Sequence, residues 1–235
     1  MPTLKRPPDW NGRKTTSYPQ PQTPMKKLTS KLQKTLASVF TVTFILTLAA
    51  LTLTACGEPK QFNQLAMPDK GEEIAIITTN QGVIKAMFFK EHAPESVKNF
   101  KELSNQGKYN ENIFHRVIKG FMIQTGDFTD NDGSGGHSYK GPGTTIGLEV
   151  HPELRHVQGA LSMARKGNDI NSNGSQFFIV TPDEGASFLD DDYSVFGQVF
   201  DGLDAVKKIE TTPTAPGDKP LEDMVIKSIE IVEFE

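Results

Sequence analysis

Residues 114–127 read FHRVIKGFMIQTGD, and the rest of the chain is interpreted around this stretch. Its apolar residues are typical of a buried strand, but Arg116 and Gln124 lie among them. Burying a guanidinium without a partner is costly, so a sequence that places one here either pairs it or uses it. No acidic residue lies within residues 114–126 to pair with Arg116 locally.

The stretch is interpreted as one extended strand with a break. In such a strand Arg116, Met122 and Gln124 share one face, and Gly120 predicts a bulge that turns Phe121 toward them. An apolar patch edged by a fixed cation and an amide suits a peptide. The ring of a proline would lie against Phe121 and Met122, while Arg116 and Gln124 hold its carbonyl oxygen.

Short β-type runs surround this stretch, at residues 73–79, 83–89, 159–165, 175–181, 193–200 and 224–234. Residues 80–82 (NQG) predict a hairpin turn between the first two. Apolar residues at helical spacing predict one helix within 93–107 and a second over 203–210. Many short strands with two helices and no βαβ rhythm indicate a mainly β protein, with an antiparallel sheet closed into a barrel or a sandwich.

The N-terminal part differs in composition. Residues 1–24 are expected to be disordered or untranslated, in which case Met25 is the true start. Residues 25–55 have the basic head and long uncharged run of an export signal, although an uncleaved membrane helix is the alternative. Leu-Thr-Ala-Cys at 53–56 resembles the lipobox of bacterial lipoproteins, in which the cysteine is acylated. Residues 56–71 are then a lipidated tether, and 72–235 form the domain.

Charge and cysteine content exclude several classes of protein. Cys56 is the only cysteine, so neither a disulfide within the chain nor a thiolate metal cluster is expected. Residues 1–55 contain 8 of the 25 basic and 1 of the 29 acidic residues, which leaves residues 56–235 with a formal charge of −11. An acidic surface repels phosphate backbones, so nucleic acid is not an expected partner.

Common catalytic motifs are missing from the sequence. There is no GxSxG, and the glycines of residues 131–143 do not join a strand to a helix as a phosphate loop would. A calcium loop ending at Tyr139 would lack the acid required at its last position. The five histidines form no HxxxH pair, and His151 and His156 lie five apart in a predicted loop. No cofactor and no metal are therefore expected.

Three motifs together carry a family resemblance. FHRVIKGFMIQTGD looks like the signature of the cyclophilin-type peptidyl-prolyl isomerases, GALSMA (159–164) followed by NGSQFFI (173–179) resembles their second motif, and SFLDDDYSVFGQV (187–199) resembles their third. The resemblance covers about residues 73–235 in the family's order. It implies an eight-stranded antiparallel closed β-barrel capped by two α-helices.

The resemblance also implies roles for particular residues. It makes Arg116 the catalytic residue. The substrate-binding residues that it implies are His115, Phe121, Met122, Gln124, Ala164, Arg165, Gln176, Phe178, Phe188, Leu189 and Tyr193. Phe121, Met122, Phe178 and Leu189 would form a proline pocket, and Gln124, Ala164 and Gln176 would hold the substrate backbone. The alternatives are core packing for Met122, Phe178 and Leu189, a structural role for His115, and capping of a strand end by Gln176.

Three positions depart from the common family pattern and change the rim of the site. Phe188 stands where many members have Trp, Tyr193 where they have His, and Arg165 where they have Asn. The pocket and the arginine are unaffected, so activity is still expected, and the Phe188 substitution resembles bacterial members.

The sequence therefore predicts a peptidyl-prolyl cis-trans isomerase that accelerates X-Pro isomerisation in exported or envelope proteins. We expect a monomer at the bacterial cell envelope, held on the membrane through lipid on Cys56. The alternative is a lipid-anchored module or chaperone that binds proline-containing polypeptides with little catalysis. The catalytic hypothesis requires Arg116 to lie beside Phe121 and Phe178, neither tied to a carboxylate nor facing bulk water.

Overall fold

A computed structural model describes residues 62–235, and the expectations for residues 1–24, 25–55 and Cys56 lie outside them. The described range contains nine strands: β1 (Glu73–Thr79), β2 (Gly82–Phe88), β3 (Asn112–Ile113), β4 (Arg116–Ile118), β5 (Met122–Thr125), β6 (Ala160–Met163), β7 (Phe177–Val180), β8 (Val195–Asp201) and β9 (Val225–Glu233). It also contains helices α1 (Pro94–Asn105) and α2 (Leu203–Glu210) and a single 3-10 turn at Ser187–Leu189.

The strands form one antiparallel sheet in the order β3-β9-β1-β2-β8-β6-β7-β5-β4. The expectation of eight strands closed into a barrel is wrong on both points. β3 is a strand of only two residues, too short to produce a sequence pattern, and β3 and β4 end the sheet without pairing with each other. The chain of residues 218–224 lies at this gap, where Asp218 and Met224 accept hydrogen bonds from the N–H groups of Val117 and Phe114.

The opening stretch folds as a hairpin, so the single strand with a bulge is also corrected. β4 pairs with β5 in the register Arg116↔Gln124 and Ile118↔Met122. Gly120 lies in the turn between them with φ +75°, a left-handed conformation that costs glycine little. Arg116 and Gln124 are thus neighbours across two strands, and the face that they share is the one the sequence predicted.

Helix α1 confirms the predicted amphipathic segment. Pro94 occupies its first turn, where a missing N–H costs nothing, and Val97, Phe100 and Leu103 are buried. The Phe100 ring lies at the centre of the core, with its centroid 5.2 Å from that of Phe177. Helix α2 also forms over its predicted residues.

A second apolar cluster lies on the face of strands β5 and β7 opposite to the main core. It contains Met122, Phe178, Leu189 and Val195, all buried, with Phe121 packed against it. Because strand residues alternate between faces, β5 and β7 contribute to both clusters and hold this second cluster in a fixed position.

Part of the segment predicted as a tether packs on the domain. The Phe62 ring lies 5.6 Å from that of Phe89, and Gln64 is buried. The Gln64 amide donates to the Arg155 carbonyl at 2.7 Å and accepts from the Arg155 N–H at 2.8 Å. Within residues 62–235, no helix is both long and apolar enough to cross a bilayer.

Candidate active site

Three neighbouring strands bring the predicted site residues into one row. Arg116 on β4 pairs with Gln124 on β5, and Gln124 pairs with Phe178 on β7. Directly paired residues on antiparallel strands project their side chains to the same face. A cation, an amide and an aromatic ring therefore stand side by side, with Met122 two residues from Gln124 on the same face.

The row forms one wall of a pocket of about 320 Å³. Ten of the twelve predicted site residues line it, namely Arg116, Phe121, Met122, Gln124, Ala164, Arg165, Phe178, Phe188, Leu189 and Tyr193. These residues come from four separate stretches of the sequence, 116–124, 164–165, 178 and 188–193, so a common pocket is not a consequence of sequence proximity. The volume is at the lower end of the range for small-ligand sites.

Arg116 lies at this pocket with its side chain 43% exposed. Its Nη1 is 3.5 Å from Gln124 Oε1, and its Nε is 3.6 Å from Asp218 Oδ2. Asp218 is itself 45% exposed, and an ion pair this long and this solvated contributes little energy. Arg116 is therefore near a carboxylate, yet it remains beside Phe121 and Phe178 and keeps donors for a substrate.

Aromatic rings form the apolar part of the pocket. Phe121 and Phe188 lie 5.4 Å apart between ring centroids, and Phe178 and Tyr193 lie 5.9 Å apart. Phe188 is 70% exposed, whereas Phe178 is buried. The exposed ring of Phe188 and the ring of Phe121 thus form the rim of the pocket, and Phe178 forms the floor.

Arg165 lines the pocket, but its guanidinium is largely engaged. Its carbon Cζ lies 4.5 Å from the centroid of the Tyr193 ring, its Nε donates to the Asp192 carbonyl at 2.9 Å, and its side chain is only 7% exposed. A guanidinium held in this way makes a rigid, positively charged wall. Arg165 thus fixes the orientation of Tyr193.

Gln176 and His115 do not line the pocket. The Gln176 amide donates to the carbonyls of Gly133 and Gly135, each at 2.9 Å, and its oxygen accepts from Gln124 at 2.9 Å. Gln176 thereby joins Gln124 to the loop at residues 127–137. Its hydrogen-bonding groups serve this link, so contact with a substrate backbone stays a prediction.

His115 is buried beside the same loop, next to Gly133. Within residues 62–235 neither of its ring nitrogens has a hydrogen-bond partner. Burial lowers the pKa of His115, and the nearby carboxylates of Asp127 and Asp132 oppose this only in part. The imidazole is therefore neutral at neutral pH and adds no positive charge next to Arg116.

Asp127 organises the loop that Gln176 holds. Its carboxylate is buried and accepts backbone N–H groups between 2.9 and 3.3 Å from Thr129, Asp130, Asp132, Gly133 and Gly135. Burial alone would raise the pKa of Asp127, but these N–H groups hold it well below its usual range. The carboxylate is thus ionised in the folded protein at neutral pH.

Sequence reasoning missed three supporting residues. Asp218 approaches Arg116 from a distant turn, and Glu210 on α2 accepts the N–H of Gly120 at 2.7 Å, which fixes the turn before Phe121. His156 stacks beneath Phe178, with its Nδ1 2.9 Å from Asp190 Oδ1. Of these three, only His156 had a signal in the sequence, because its partner Asp190 lies within the motif at residues 187–199.

Comparison with known proteins identifies the family of this fold and pocket. Residues 74–231 match the family described as "Cyclophilin type peptidyl-prolyl cis-trans isomerase/CLD". The chain is 37% identical to peptidyl-prolyl cis-trans isomerase-like 1 of Aspergillus fumigatus over 162 residues, which are 67% of this chain and 94% of that protein. It is 41% identical over 160 residues, or 68% of the chain, to an Arabidopsis thaliana peptidyl-prolyl cis-trans isomerase.

The chain spans about a quarter of the length of the Arabidopsis protein, 24%, and of several other curated relatives. Among solved structures, a cyclophilin-type isomerase of Cryptosporidium parvum superposes with a TM-score of 0.65 at 39% identity, covering 69% of this chain and 99% of that one. A second structure of that protein was determined in the presence of the dipeptide Ala-Pro. Because the family match covers most of the domain, this chain belongs to the cyclophilin-type peptidyl-prolyl cis-trans isomerase family.

Proposed function

We propose that the domain catalyses cis-trans isomerisation of X-Pro peptide bonds, with Arg116 stabilising the twisted amide. The observation that carries the proposal is the convergence of Arg116, Gln124 and four apolar side chains on one pocket, in a chain of the cyclophilin-type family. The Cryptosporidium relative studied with Ala-Pro supports a proline-containing peptide as the ligand class.

The reaction needs no covalent chemistry. Resonance opposes rotation about a peptide bond with a barrier of roughly 18–20 kcal/mol. For X-Pro bonds both isomers are populated, and exchange takes tens to hundreds of seconds, which is slow enough to limit folding. An enzyme lowers the barrier by binding the twisted amide better than either planar form, and each tenfold acceleration requires about 1.4 kcal/mol of such preference.

The pocket contributes to this preference in two ways: it provides an apolar surface for the proline ring and a hydrogen-bond donor for the prolyl nitrogen. Phe121, Met122 and Phe178 receive the proline ring and hold it while the preceding residue turns. As the twist breaks resonance, the prolyl nitrogen becomes basic and can accept a hydrogen bond. The Arg116 guanidinium cannot lose its proton at physiological pH, so it is a constant donor at the site where this basicity develops.

Replacing Arg116 tests the catalytic role. We expect Arg116→Ala to lower kcat/KM at least a hundredfold on a proline peptide, because the donor to the twisted amide is removed. Exchange spectroscopy by NMR measures the cis-trans rate directly and does not depend on a coupled protease. Arg116→Lys keeps the charge but loses the planar fork, so it should recover only part of the rate.

Arg155→Ala is a matched control, since Arg155 is 44% exposed, much like Arg116, and does not line the pocket. Both alanine variants should keep the wild-type circular dichroism spectrum. A folded Arg116→Ala protein with wild-type exchange rates would remove Arg116 from the mechanism.

The cellular setting is a separate part of the proposal. We propose that acylation at Cys56 anchors the domain at a bacterial cell envelope, where it acts as a monomer on exported proteins. The lipobox-like residues 53–56 support this. Labelled palmitate should be incorporated by the expressed chain and not by Cys56→Ser. Trp10 is the only tryptophan, so the processed protein should also lack indole fluorescence.

A binding module with little catalysis is the second candidate, and Asp218 is the observation that favours it. The Asp218 carboxylate lies 3.6 Å from Arg116 Nε. It neutralises part of the positive charge that would otherwise stabilise the twisted amide. Titration with a proline peptide distinguishes the candidates, because a module that only binds shifts the peptide resonances without accelerating exchange.

A further inference from the structure

Two histidines and a glutamate meet on the surface, outside the proline pocket. His92 follows β2, whereas His151 and Glu153 belong to the long connection between β5 and β6. One ligand atom from each residue lies within 4.8 Å of the other two. We call these three residues the His-Glu cluster, and none of them lines the pocket.

The spacing of the cluster matches a tetrahedral metal site. Zinc binds imidazole nitrogen and carboxylate oxygen at about 2.0–2.2 Å, which places two tetrahedral ligand atoms roughly 3.3–3.5 Å apart. Glu153 Oε2 lies 3.6 Å from His92 Nε2 and 3.8 Å from His151 Nδ1. All three ligand atoms lie within 4.8 Å of one another, so binding requires side-chain rotations that bring the two imidazole nitrogens and the carboxylate oxygen to coordination distance.

The same separations are too long for direct hydrogen bonds. An N–H···O bond has its atoms about 2.7–3.2 Å apart, so neither imidazole satisfies the Glu153 carboxylate directly. Within residues 62–235, the one hydrogen bond inside the cluster runs from the Glu153 N–H to His151 Nδ1 at 3.3 Å, which is long. A cation bound between the three groups would replace this weak bond with a stronger interaction.

Packing holds the two imidazoles in place before any ion binds. The His92 ring centroid lies 4.4 Å from that of Phe62 and 4.4 Å from that of His151, the latter nearly perpendicular. The backbone fixes both residues, because His92 donates to the Phe89 carbonyl and Leu154 donates to the His151 carbonyl. Ordering two of the three ligands in advance reduces the entropic cost of binding.

The exposure of the cluster leaves room for an ion to enter. The His92 side chain is 16% exposed, that of His151 36% and that of Glu153 54%. Two partly buried ligands and one exposed ligand form a site that is closed on the protein side and open to solvent. Three protein ligands with one open position are the arrangement found in catalytic zinc sites.

The donor set selects the class of ion. Imidazole suits zinc and the neighbouring divalent transition metals, whereas magnesium and calcium prefer sites made only of oxygen. We propose that His92, His151 and Glu153 bind one divalent transition-metal ion, with Zn²⁺ as the best match and a solvent molecule as the fourth ligand. The site is independent of the isomerase pocket, and it departs from the sequence expectation of no metal because His92 is remote from His151 in the chain.

Calorimetric titration of the full chain, purified without a polyhistidine tag and treated with chelator, tests the site. We expect one Zn²⁺ per chain, with Mg²⁺ giving no heat at the same concentrations. His92→Ala and Glu153→Gln should each weaken zinc binding at least tenfold. His137→Ala is the matched control, because His137 is a partly exposed histidine of a different loop, and it should bind zinc like the wild type.

Cobalt gives a second readout of the same site. Co²⁺ bound by two nitrogens and one oxygen should show visible absorption that the His92→Ala protein lacks, while circular dichroism verifies that each variant is folded. The proposal is overturned if the wild type binds no zinc, or if binding is as tight in the His92→Ala and Glu153→Gln proteins as in His137→Ala.

Discussion

At the scale of single residues, the proposed chemistry depends on the position of Arg116. Its guanidinium lies between the Gln124 amide at 3.5 Å and the Asp218 carboxylate at 3.6 Å. Asp218 is held in turn, because its carbonyl accepts the N–H of Val117, the residue after Arg116. We infer that Asp218 positions the guanidinium from one side while leaving its other donors directed at the pocket.

Asp218→Asn tests this positioning. An exposed ion pair contributes up to about 1 kcal/mol, so we expect kcat/KM to fall two- to fivefold. Salt screens such pairs, so the difference from wild type should shrink at high ionic strength. Asp201→Asn is the control, since Asp201 is an exposed partner of Lys85 outside the pocket. A faster Asp218→Asn enzyme would mean that the carboxylate competes with the substrate instead.

The sequence predicted the residues that line the pocket better than it predicted the residues that hold them in position. Arg116, Phe121 and Phe178 belong to motifs whose order is recognisable along the chain, and all three line one pocket. Asp218 belongs to no such motif, and its approach to Arg116 depends on how residues 214–220 turn, which only the folded chain reveals.

At the scale of elements, the loop at residues 127–137 is built around one buried anion. From the sequence, this segment was excluded as a phosphate loop and as a calcium loop, and no structural role was predicted for its aspartates. The fold instead directs five backbone N–H groups at the Asp127 carboxylate, and Gln176 fastens the loop to Gln124. The loop therefore supports the pocket wall from behind.

Asp127→Asn should loosen this loop. Removing the charge weakens several hydrogen bonds at once, and we expect the free energy of unfolding to fall by about 1–3 kcal/mol. The folded pKa is lowered, so the stabilisation is present above about pH 4 and is lost as the pH falls through the lower folded value. Urea denaturation at several pH values checks both points. Variant and wild type should converge in strong acid, and a constant difference down to that range would contradict the assignment.

Element prediction failed where the strands are short. The opening stretch was interpreted as one strand, but Gly120 lies in a hairpin turn between β4 and β5, so two strands of three and four residues form. β3 has two residues and relies on pairing with β9. Such short strands are stabilised by pairing with segments that are distant in the sequence. The local sequence pattern does not identify those segments.

At the scale of the whole molecule, two buried histidines set the behaviour in mild acid. Burial lowers the pKa of both His115 and His156, and the Asp190 carboxylate opposes this at His156 only in part. Each is therefore neutral in the folded protein at a pH where the unfolded chain already begins to bind protons. Their contribution to stability is complete above the unfolded value of about 6.5.

We expect the free energy of unfolding to decrease as the pH falls below about 6.5, and to continue decreasing until the lower folded pKa values are reached. Denaturant titrations between pH 5 and 8 measure this decrease. His156→Gln should make the dependence shallower in that range. A stability that is flat between pH 5 and 7 in the wild type would show that these imidazoles are protonated with little cost.

The family match and the observed sheet together confirm the predicted mainly β antiparallel fold with two helices, but closure of the sheet could not be predicted. Closure depends on whether β3 and β4 pair, and the two residues between them, Phe114 and His115, leave each strand bonded to a different neighbour. Long-range geometry of this kind is absent from the local sequence.

The open ends of the sheet have a consequence for inactivation. β4 carries Arg116 on an edge with β5 as its only strand neighbour, and a single backbone bond from Val117 closes its other side. Edge strands open at a lower free energy than the core. Mild denaturant should therefore abolish the proposed isomerase activity while most backbone amides remain protected from deuterium exchange. Loss of activity would then be the first detectable sign that β4 has opened locally.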